Sequence, residues 1–302
     1  MKKLKSRFLK PLAVALVAVV ALTSVVPINA DGGSSIYFEE STARGSNALS
    51  IIQNNEMFDY FDAFRQESSF VEVYAVASKA VYINETLDGN GNVADSRLMT
   101  RNEVAGLKQE LNRGLVLVGS DYPPKYKKLT CYLVVYKDNY YDSYDVYTNA
   151  TWEPFGLYFP GESSPADKGY MAITWGGNGE AFACLTKSFY GTYQNGNNMS
   201  SYSLAKSDVY NGYCWQFNET TGGLFASPMD YANAYVSLGK KYFAYEGKVT
   251  NVVYTYVHTW AVFTPTITFQ VGFPQLFSLG IDFSTSSTKW WDIQMDVGGL
   301  WY

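Results

Sequence analysis

Three runs near the end of the chain alternate strictly between apolar and polar positions. Successive side chains of a β-strand point to opposite faces, so a period of two indicates strands with one buried face and one solvated face. Such strands are typical of antiparallel sheets. The apolar positions of the three runs are Ile267, Phe269, Val271 and Phe273; Phe277, Leu279, Ile281 and Phe283; and Trp291, Ile293, Met295 and Val297.

The rest of the chain after residue 127 consists of one β-prone run after another. Turn-forming segments such as Lys137-Asp138-Asn139 separate several of these runs. Tyr, Phe and Trp make up 17% of the chain, which favours strands over helices. An earlier run at 70–83 is followed by turn residues at 88–92, which predicts a hairpin. The further predicted strands are 127–136, 140–152, 169–175, 180–193, 212–217, 232–238 and 249–263.

One helix is predicted to begin at Thr100. Thr100 and Glu103 have the spacing of a capping box, and Met99 and Val104 have that of a hydrophobic staple around it. Apolar residues then repeat on one face until Gly114, which is placed to end the helix. The irregular apolar spacing of 47–64 leaves a second helix there as a weaker interpretation.

Many short strands with frequent turns predict a mainly β fold, an antiparallel β-sandwich or a barrel-like arrangement, with one or two short helices in the N-terminal third. The division that we expect is a small α+β region at 31–122, packed on or separate from the rest, and an antiparallel β-sandwich domain at 123–302. The segment Asp121-Tyr122-Pro123-Pro124 marks the join.

Residues 1–30 have the layout of a cleavable secretory signal. A basic start is followed by an apolar run from Leu12 to Val26 and by the small residue Ala30. This run is shorter than the roughly 20 residues that a membrane-spanning helix needs. We therefore expect a secreted, extracellular protein that is cleaved after Ala30, with Ala21 or a nearby small residue as the competing site, and that keeps no transmembrane anchor. The short Lys-rich signal is typical of bacteria.

Cleavage makes the chain strongly acidic. It removes five of the 23 Lys and Arg residues and none of the 28 Asp and Glu residues, so 18 basic side chains remain against 28 acidic ones, a net charge of −10. An acidic surface repels phosphate backbones, and nucleic-acid binding is therefore not expected.

The three cysteines do not form a disulfide framework. Cys131, Cys184 and Cys214 permit at most one bridge within the chain, and the sequence leaves all three pairings open. Each lies in an apolar, strand-like segment. We interpret them as small buried hydrophobic residues rather than reactive thiols.

Few residues carry the usual signs of catalysis or metal binding. His258 is the only histidine, which excludes zinc sites built on a histidine pair, and no G-x-S-x-G segment supplies a serine for a triad. The spacing of Asp88, Asn90 and Asn92 imitates a calcium loop, but the glycine and glutamate that complete such a loop are missing. No metal and no cofactor is predicted.

Two acids are weak catalytic candidates. A glycosidase needs only two carboxylates across a cleft, so the lack of a motif does not exclude one. Glu72 lies inside the apolar run Phe70-Val71-Glu72-Val73-Tyr74, and Glu180 lies in strand-like sequence beside aromatic residues. A solvent-facing position on a strand explains both residues as simply as catalysis does.

The aromatic residues are the strongest functional indication. Exposed aromatic faces beside acids and amides suit sugar rings, which have apolar faces and hydroxyl rims. The same residues also fit an ordinary β core. The predicted ligand-binding residues are Tyr141, Tyr147, His258, Trp260 and Trp290.

Three hypotheses follow for the function. The leading one is an extracellular binding or surface-interaction protein without catalysis, whose partner is a glycan or another surface molecule. The second is a carboxylate-dependent glycan hydrolase. The third is a secreted β pore-forming protein, since the alternating, Ser/Thr-rich run from Thr266 to Thr288 could insert into a membrane as an amphipathic hairpin.

Overall fold

The computed structural model describes most of the chain after residue 34. The described residues are 35–45, 47–48, 70–87, 93–112, 125–154, 168–176, 181–221, 227–241, 247, 249–260, 266–272, 276–282 and 290–301. They belong to one compact unit. The expected signal peptide lies outside them and stays a prediction.

The described residues contain fourteen strands and one helix of 12 residues. The helix, α1, is Arg101–Asn112. The strands are β1 (Phe38–Arg44), β2 (Val71–Leu87), β3 (Val93–Leu98), β4 (Lys125–Asp138), β5 (Ser143–Pro154), β6 (Lys168–Gly176), β7 (Phe182–Tyr193), β8 (Tyr202–Asp208), β9 (Gly212–Asn218), β10 (Met229–Lys240), β11 (Val249–Thr259), β12 (Thr266–Gly272), β13 (Leu276–Asp282) and β14 (Trp290–Trp301).

The strands form two antiparallel sheets and a two-stranded ribbon. The first sheet has the order β1-β2-β4-β5-β10-β7, and β3 pairs with β2 beyond the end of β1. The second sheet has the order β14-β11-β6-β9-β8, and β12 pairs with β13. Alternate residues of facing strands fill the space between the two sheets, as in a β-sandwich. The predicted fold class is therefore confirmed.

The main core lies between the two sheets. The first sheet contributes alternate side chains of β2, β4, β5 and β10, and the second contributes those of β6, β9, β11 and β14. Aromatic rings fill much of this space because they bury a large area per residue. The largest fully buried side chains include Trp175, Tyr144, Tyr254, Tyr256 and Phe182.

The β12–β13 ribbon lies against the outer face of the second sheet. Phe269 of β12 packs on a small buried cluster formed by Tyr170, Ala172, Cys214 and Val257. These four residues alternate with the residues that face the main core. Burial on both faces explains why β6 is apolar along almost its whole length.

The predicted helix is confirmed, with its cap. Glu103 Oε2 accepts hydrogen bonds from the Thr100 N–H and hydroxyl, both at 2.8 Å, and the Glu103 N–H donates to Thr100 Oγ1 at 3.4 Å. Met99 and Val104 are buried together with Tyr82. Of the weaker helix predicted at 47–64, only residues 47 and 48 are described, and both are helical.

The predicted strands are confirmed within a few residues of their ends. Sequence patterns missed β1 and β8, whose polar side chains are largely exposed and leave little apolar alternation. The predicted hairpin is formed by β2 and β3, which pair antiparallel. β2 pairs with β4 from Val71 to Glu85, so strands on both sides of the expected join at residues 121–124 share one sheet. The join itself lies outside the described residues, and the division there stays a prediction.

All three cysteines are described, and none is bridged. Burial raises the pKa of the Cys131 thiol to about 12 and that of Cys214 above its ordinary value. Cys184 is only half-buried, and desolvation raises its pKa as well. A thiol with a raised pKa stays protonated and is a poor nucleophile, which agrees with a packing role.

Candidate functional site

Three exposed aromatic rings meet at one end of the sandwich. Tyr140 and Tyr141 lie in the β4–β5 turn and are 68% and 75% exposed, and Phe70, just before β2, is 53% exposed. The ring centres of Tyr140 and Tyr141 are 4.8 Å apart in an edge-on arrangement, and those of Phe70 and Tyr140 are 5.7 Å apart. We call these three residues the aromatic tip.

The backbone of the β4–β5 turn holds the aromatic tip in place. Asp138 Oδ1 accepts hydrogen bonds from the N–H groups of Tyr140 at 2.8 Å and Tyr141 at 3.1 Å, an arrangement that aspartate favours in turns. The Asn139 N–H donates to the Phe70 carbonyl at 3.0 Å. These bonds link the turn to the start of β2, so the three rings are positioned before any ligand arrives.

The last residue of the turn anchors it to a neighbouring strand. Asp142 adopts a left-handed backbone conformation with φ of 50°, which aspartate tolerates better than most residues. Its carboxylate lies 2.7 Å from Lys240 Nζ on β10. The aromatic tip therefore has a charged rim with one acid and one base.

The aromatic tip presents apolar surface that the fold does not bury. Packing against a core is the usual reason for a large aromatic side chain, but most of Tyr140 and Tyr141 faces solvent. A contiguous exposed aromatic patch with a polar rim is typical of an interaction surface. Of the residues predicted to bind a ligand, Tyr141 lies here.

Tyr147 lies on the outer face of the first sheet within a row of tyrosines. Its ring centre is 5.6 Å from that of Tyr136 and 4.6 Å from that of Tyr235. Tyr235 in turn donates a hydrogen bond to Asp145 at 2.9 Å. The row buries most of Tyr147, so its ring contacts other rings rather than solvent.

The remaining three predicted residues lie at the opposite end of the sandwich. His258 is buried, Trp260 is half-buried with its ring stacked on His258 at 5.6 Å, and Trp290 is 41% exposed. His258 is near Lys127 at the start of β4, whereas the aromatic tip follows the end of β4. β4 has 14 residues and at about 3.4 Å per residue spans roughly 45 Å. The five predicted residues therefore do not form one site.

His258 belongs to a buried group of charged side chains. Its Nδ1 lies 2.5 Å from Glu219 Oε2, and its Nε2 lies 4.0 Å from Glu85 Oε1. Glu85 Oε2 lies 2.6 Å from Lys127 Nζ. All four residues are at most 6% exposed. We call them the buried ion cluster, in which each acid is paired with a basic side chain.

Aromatic side chains complete this cluster. The Tyr256 hydroxyl donates a hydrogen bond to Glu219 Oε1 and accepts one from Trp152 Nε1 at 3.2 Å. Burial and the nearby Glu219 carboxylate raise the pKa of Tyr256 well above its ordinary value. The hydroxyl therefore stays protonated and remains a donor to the carboxylate.

The cavity beside the cluster is too small for a sugar. It measures about 20 Å³ and is lined by Trp152, Glu153, Glu219 and His258 together with Lys127, Pro228 and Met229. Room of this size suits a water molecule. Ligand pockets commonly measure about 300 to 1,000 Å³. The arrangement of charges therefore fits a structural role in the core.

Of the two weak catalytic candidates, only Glu72 lies among the described residues. Glu72 is exposed near the start of β2, and Glu180 lies outside the described residues. Glu85 and Glu219 were not predicted as site residues, although the alternation around Glu85 indicates that its side chain faces inward. In β2 the residues Ala77, Val81 and Ile83 face the core, and Glu85 continues that alternation. A charge at an inward position of a strand indicates a buried pair.

The described residues contain no group of three His, Cys, Asp or Glu side chains arranged to hold a metal ion. Nor does the described part of the chain contain a helix that is long and apolar enough to cross a membrane.

Comparison with known proteins finds only distant structural similarities. No protein-family model and no curated protein sequence matches the chain significantly. Among solved structures, the C-terminal domain of the Streptococcus agalactiae AgI/II polypeptide BspA is 8% identical, with 62% of this chain and 88% of that chain covered and a TM-score of 0.23. The C-terminal domain of the Streptococcus pyogenes antigen I/II-family protein AspA is 9% identical over 62% and 88%, with a TM-score of 0.24.

The collagen adhesin CNA of S. aureus is 5% identical, with 75% of this chain and 91% of that chain covered and a TM-score of 0.25. Two of these matched chains are described as C-terminal domains of antigen I/II-type proteins and the third as a collagen adhesin. TM-scores near 0.25 are too low to assign this chain to a family or to transfer a function to it.

Proposed function

We propose that the protein is an exported binding protein that contacts a glycan through the aromatic tip. The observation that carries the proposal is the set of three exposed rings, Phe70, Tyr140 and Tyr141, held together at one end of a rigid sandwich. Clustered rings with fixed positions bind with a small loss of side-chain entropy.

Glycans are the ligand class that suits this surface best. A pyranose has an apolar face that packs on an aromatic ring, and its hydroxyl groups need polar partners at the rim. Asp142 and Lys240 supply an acceptor and a donor next to the rings. The exposed location at a turn leaves space for a chain of sugars rather than a single enclosed one.

The hydrolase alternative has less support from the described residues. The two acids of the buried ion cluster, Glu85 and Glu219, are both buried. The cavity beside Glu219 measures about 20 Å³. Glu72 is exposed and lies close to the aromatic tip, because it pairs with Lys137 in the register of β2 and β4.

A glycan array tests the proposal. The purified chain is compared with a Tyr140→Ala/Tyr141→Ala double variant and with Tyr202→Ala, which removes an exposed tyrosine from another part of the molecule. We expect specific signals that fall by about tenfold or more in the double variant, since stacking on each ring contributes roughly 0.5–1.5 kcal/mol, and that persist in Tyr202→Ala.

A Trp290→Ala variant in the same experiment covers the opposite end of the sandwich. Binding that is lost in this variant and retained in the double variant would move the site to Trp290. A blank array with correctly folded protein would remove glycans as the ligand class.

A further inference from the structure

The two edges of the second sheet differ in how they are covered. At the β14 edge, side chains from β1 and β2 donate to backbone carbonyls: Arg44 to Gly298, Tyr74 to Gly299, and Lys79 to Gln294 at 3.4 Å. These bonds occupy acceptors that an added strand would need. β14 is thereby protected against pairing with another chain.

The β8 edge is open by comparison. Among the described strands, β8 pairs only with β9, and most of its residues are exposed. Its Tyr202 and Leu204 pair with Phe217 and Trp215 of β9 and so point toward the space between the sheets. Leu204 is nevertheless 44% exposed. Within the described part of the chain, the apolar face of β8 therefore continues to the surface without a further strand to cover it.

The facing edge of the first sheet extends this apolar surface. Phe189 of β7 packs against Tyr202 with ring centres 5.0 Å apart. Val209, in the turn after β8, is exposed too. We call Tyr202, Leu204 and Val209 the open flank.

On the other face of β8, Ala205 packs on the same buried cluster as Phe269 of β12, and the remaining side chains are polar and include a positive charge. Lys206 is exposed there, and a groove of about 240 Å³ lies beside the start of β8. Lys168, Ser203, Gln216 and Asn218 line this groove, and Lys168 donates a hydrogen bond to Asn218. Asp208, the acid of β8, is occupied in its own turn, where it accepts from the Tyr210 N–H at 2.9 Å and from Asn211 at 2.8 Å.

We propose that β8 is a docking edge for an extended segment of another protein in which apolar and acidic residues alternate. Such a segment would add a strand to the second sheet through main-chain hydrogen bonds. Its apolar side chains would cover Tyr202 and Leu204, and its carboxylates would face Lys206 and reach into the groove toward Lys168.

The charges favour a partner over a second copy of the chain. The outer face of β8 presents Lys206, and Lys168 of β6 lines the groove beside it, so this edge is locally positive although the chain has a formal net charge of −5. Pairing of β8 with β8 of a second copy would bring the Lys206 residues together without supplying acids for them. An acidic segment supplies the counter-charge to Lys206 at short range.

Binding of labelled peptides tests this docking edge. The probe is a fluorescein-labelled peptide of alternating valine and glutamate, measured by fluorescence anisotropy with the full chain. The controls are the same peptide with alternate backbone nitrogens methylated and a peptide of alternating valine and lysine. We expect the methylated peptide to bind about tenfold or more weakly, because several main-chain hydrogen bonds are lost, and the lysine peptide to bind less tightly than the glutamate peptide.

Variants locate the contact. We expect Leu204→Lys to abolish binding and Lys206→Glu to weaken it by about fivefold, in keeping with a partly exposed ion pair. Gln294→Lys, which adds the same charge as Leu204→Lys at the protected β14 edge, should leave binding unchanged. Equal binding of the methylated peptide, or loss of binding in Gln294→Lys but not in Leu204→Lys, overturns the proposal.

Light scattering completes the test. A dimer of the unmodified chain that Leu204→Lys converts to a monomer would assign the open flank to a second copy instead and would also overturn the proposal. The glycan variants Tyr140→Ala/Tyr141→Ala should bind the peptide normally, so the docking edge and the aromatic tip can fail independently.

Discussion

Glu219 holds together the part of the core where charged and aromatic side chains meet. One of its oxygens lies 2.5 Å from His258 Nδ1, and the other accepts the hydrogen bond of Tyr256. Gly169 allows this approach, since a Cβ added there would lie 2.4 Å from the Phe217 ring and 2.9 Å from Glu219 Oε1. The absence of a side chain at Gly169 thus makes room for the carboxylate of Glu219, which directly follows the neighbouring strand β9.

We expect Glu219→Ala to reduce the free energy of unfolding by about 3 kcal/mol or more, because it leaves His258 and Tyr256 without their buried partner. The matched control is Glu153→Ala, which removes a half-exposed acid at the same cavity and should cost about 1 kcal/mol or less. Urea denaturation measures both. Equal losses for the two variants would show that the buried ion cluster contributes no more than a surface ion pair.

The stability that helix α1 contributes to the fold depends on pH through Glu103. Hydrogen bonds from Arg97, at 3.0 and 2.5 Å, and from Thr100 lower the pKa of Glu103 to about 2. A carboxyl whose pKa is lower in the folded state stabilises the fold above its unfolded pKa of about 4.3. That stabilisation is lost as the pH falls from about 4.3 to about 2.

Glu103→Gln should therefore flatten the loss of stability between about pH 4 and pH 2. Both side chains of the Arg97–Glu103 pair are more than one third exposed, so we expect an effect at neutral pH of about 1 kcal/mol or less. Glu110→Gln removes the same charge from α1 away from the capping box and serves as the control. Thermal unfolding followed at a series of pH values measures the difference. If the two variants lose stability identically between about pH 4 and pH 2, Glu103 is not the source of this pH dependence.

At the scale of the molecule, side chains close the sandwich along the side where β14 lies. The side chains of Arg44, Tyr74 and Lys79 join the first sheet to the carbonyls of β14. Buried Trp291 adds a hydrogen bond from its Nε1 to Ser96 Oγ at 3.1 Å. These bonds tie β14, an edge strand of the second sheet, to the first sheet.

Tyr74→Phe should cost about 1 kcal/mol of stability, because it removes the hydroxyl that donates to the Gly299 carbonyl. It should also increase hydrogen exchange at the C-terminal end of β14 more than elsewhere. Tyr202→Phe removes an exposed hydroxyl from the open flank and should change neither quantity. Unchanged exchange in Tyr74→Phe would mean that β14 is held by its pairing with β11 alone.

Local sequence patterns predicted most of the strands and the helix but only part of the candidate site. The period of two predicted β14, and the structure buries Trp291, Ile293 and Met295 as that period requires. The capping box predicted the start of α1. The aromatic surplus pointed to Tyr141, but the partners of its ring could not be predicted, because Phe70 is distant in sequence and reaches it only through the pairing of β2 with β4.

The amino-acid sequence by itself determined most of the strands, the helix and the mainly β class, because these depend on residues that are close together along the chain. Only the tertiary structure decided which charges meet, since Glu85, Lys127, Glu219 and His258 come from segments that long-range strand pairing brings together. It also decided that His258 is buried and Tyr141 exposed, because burial depends on what covers a side chain. The order of strands in each sheet, which leaves β8 at an edge, follows from the same long-range contacts.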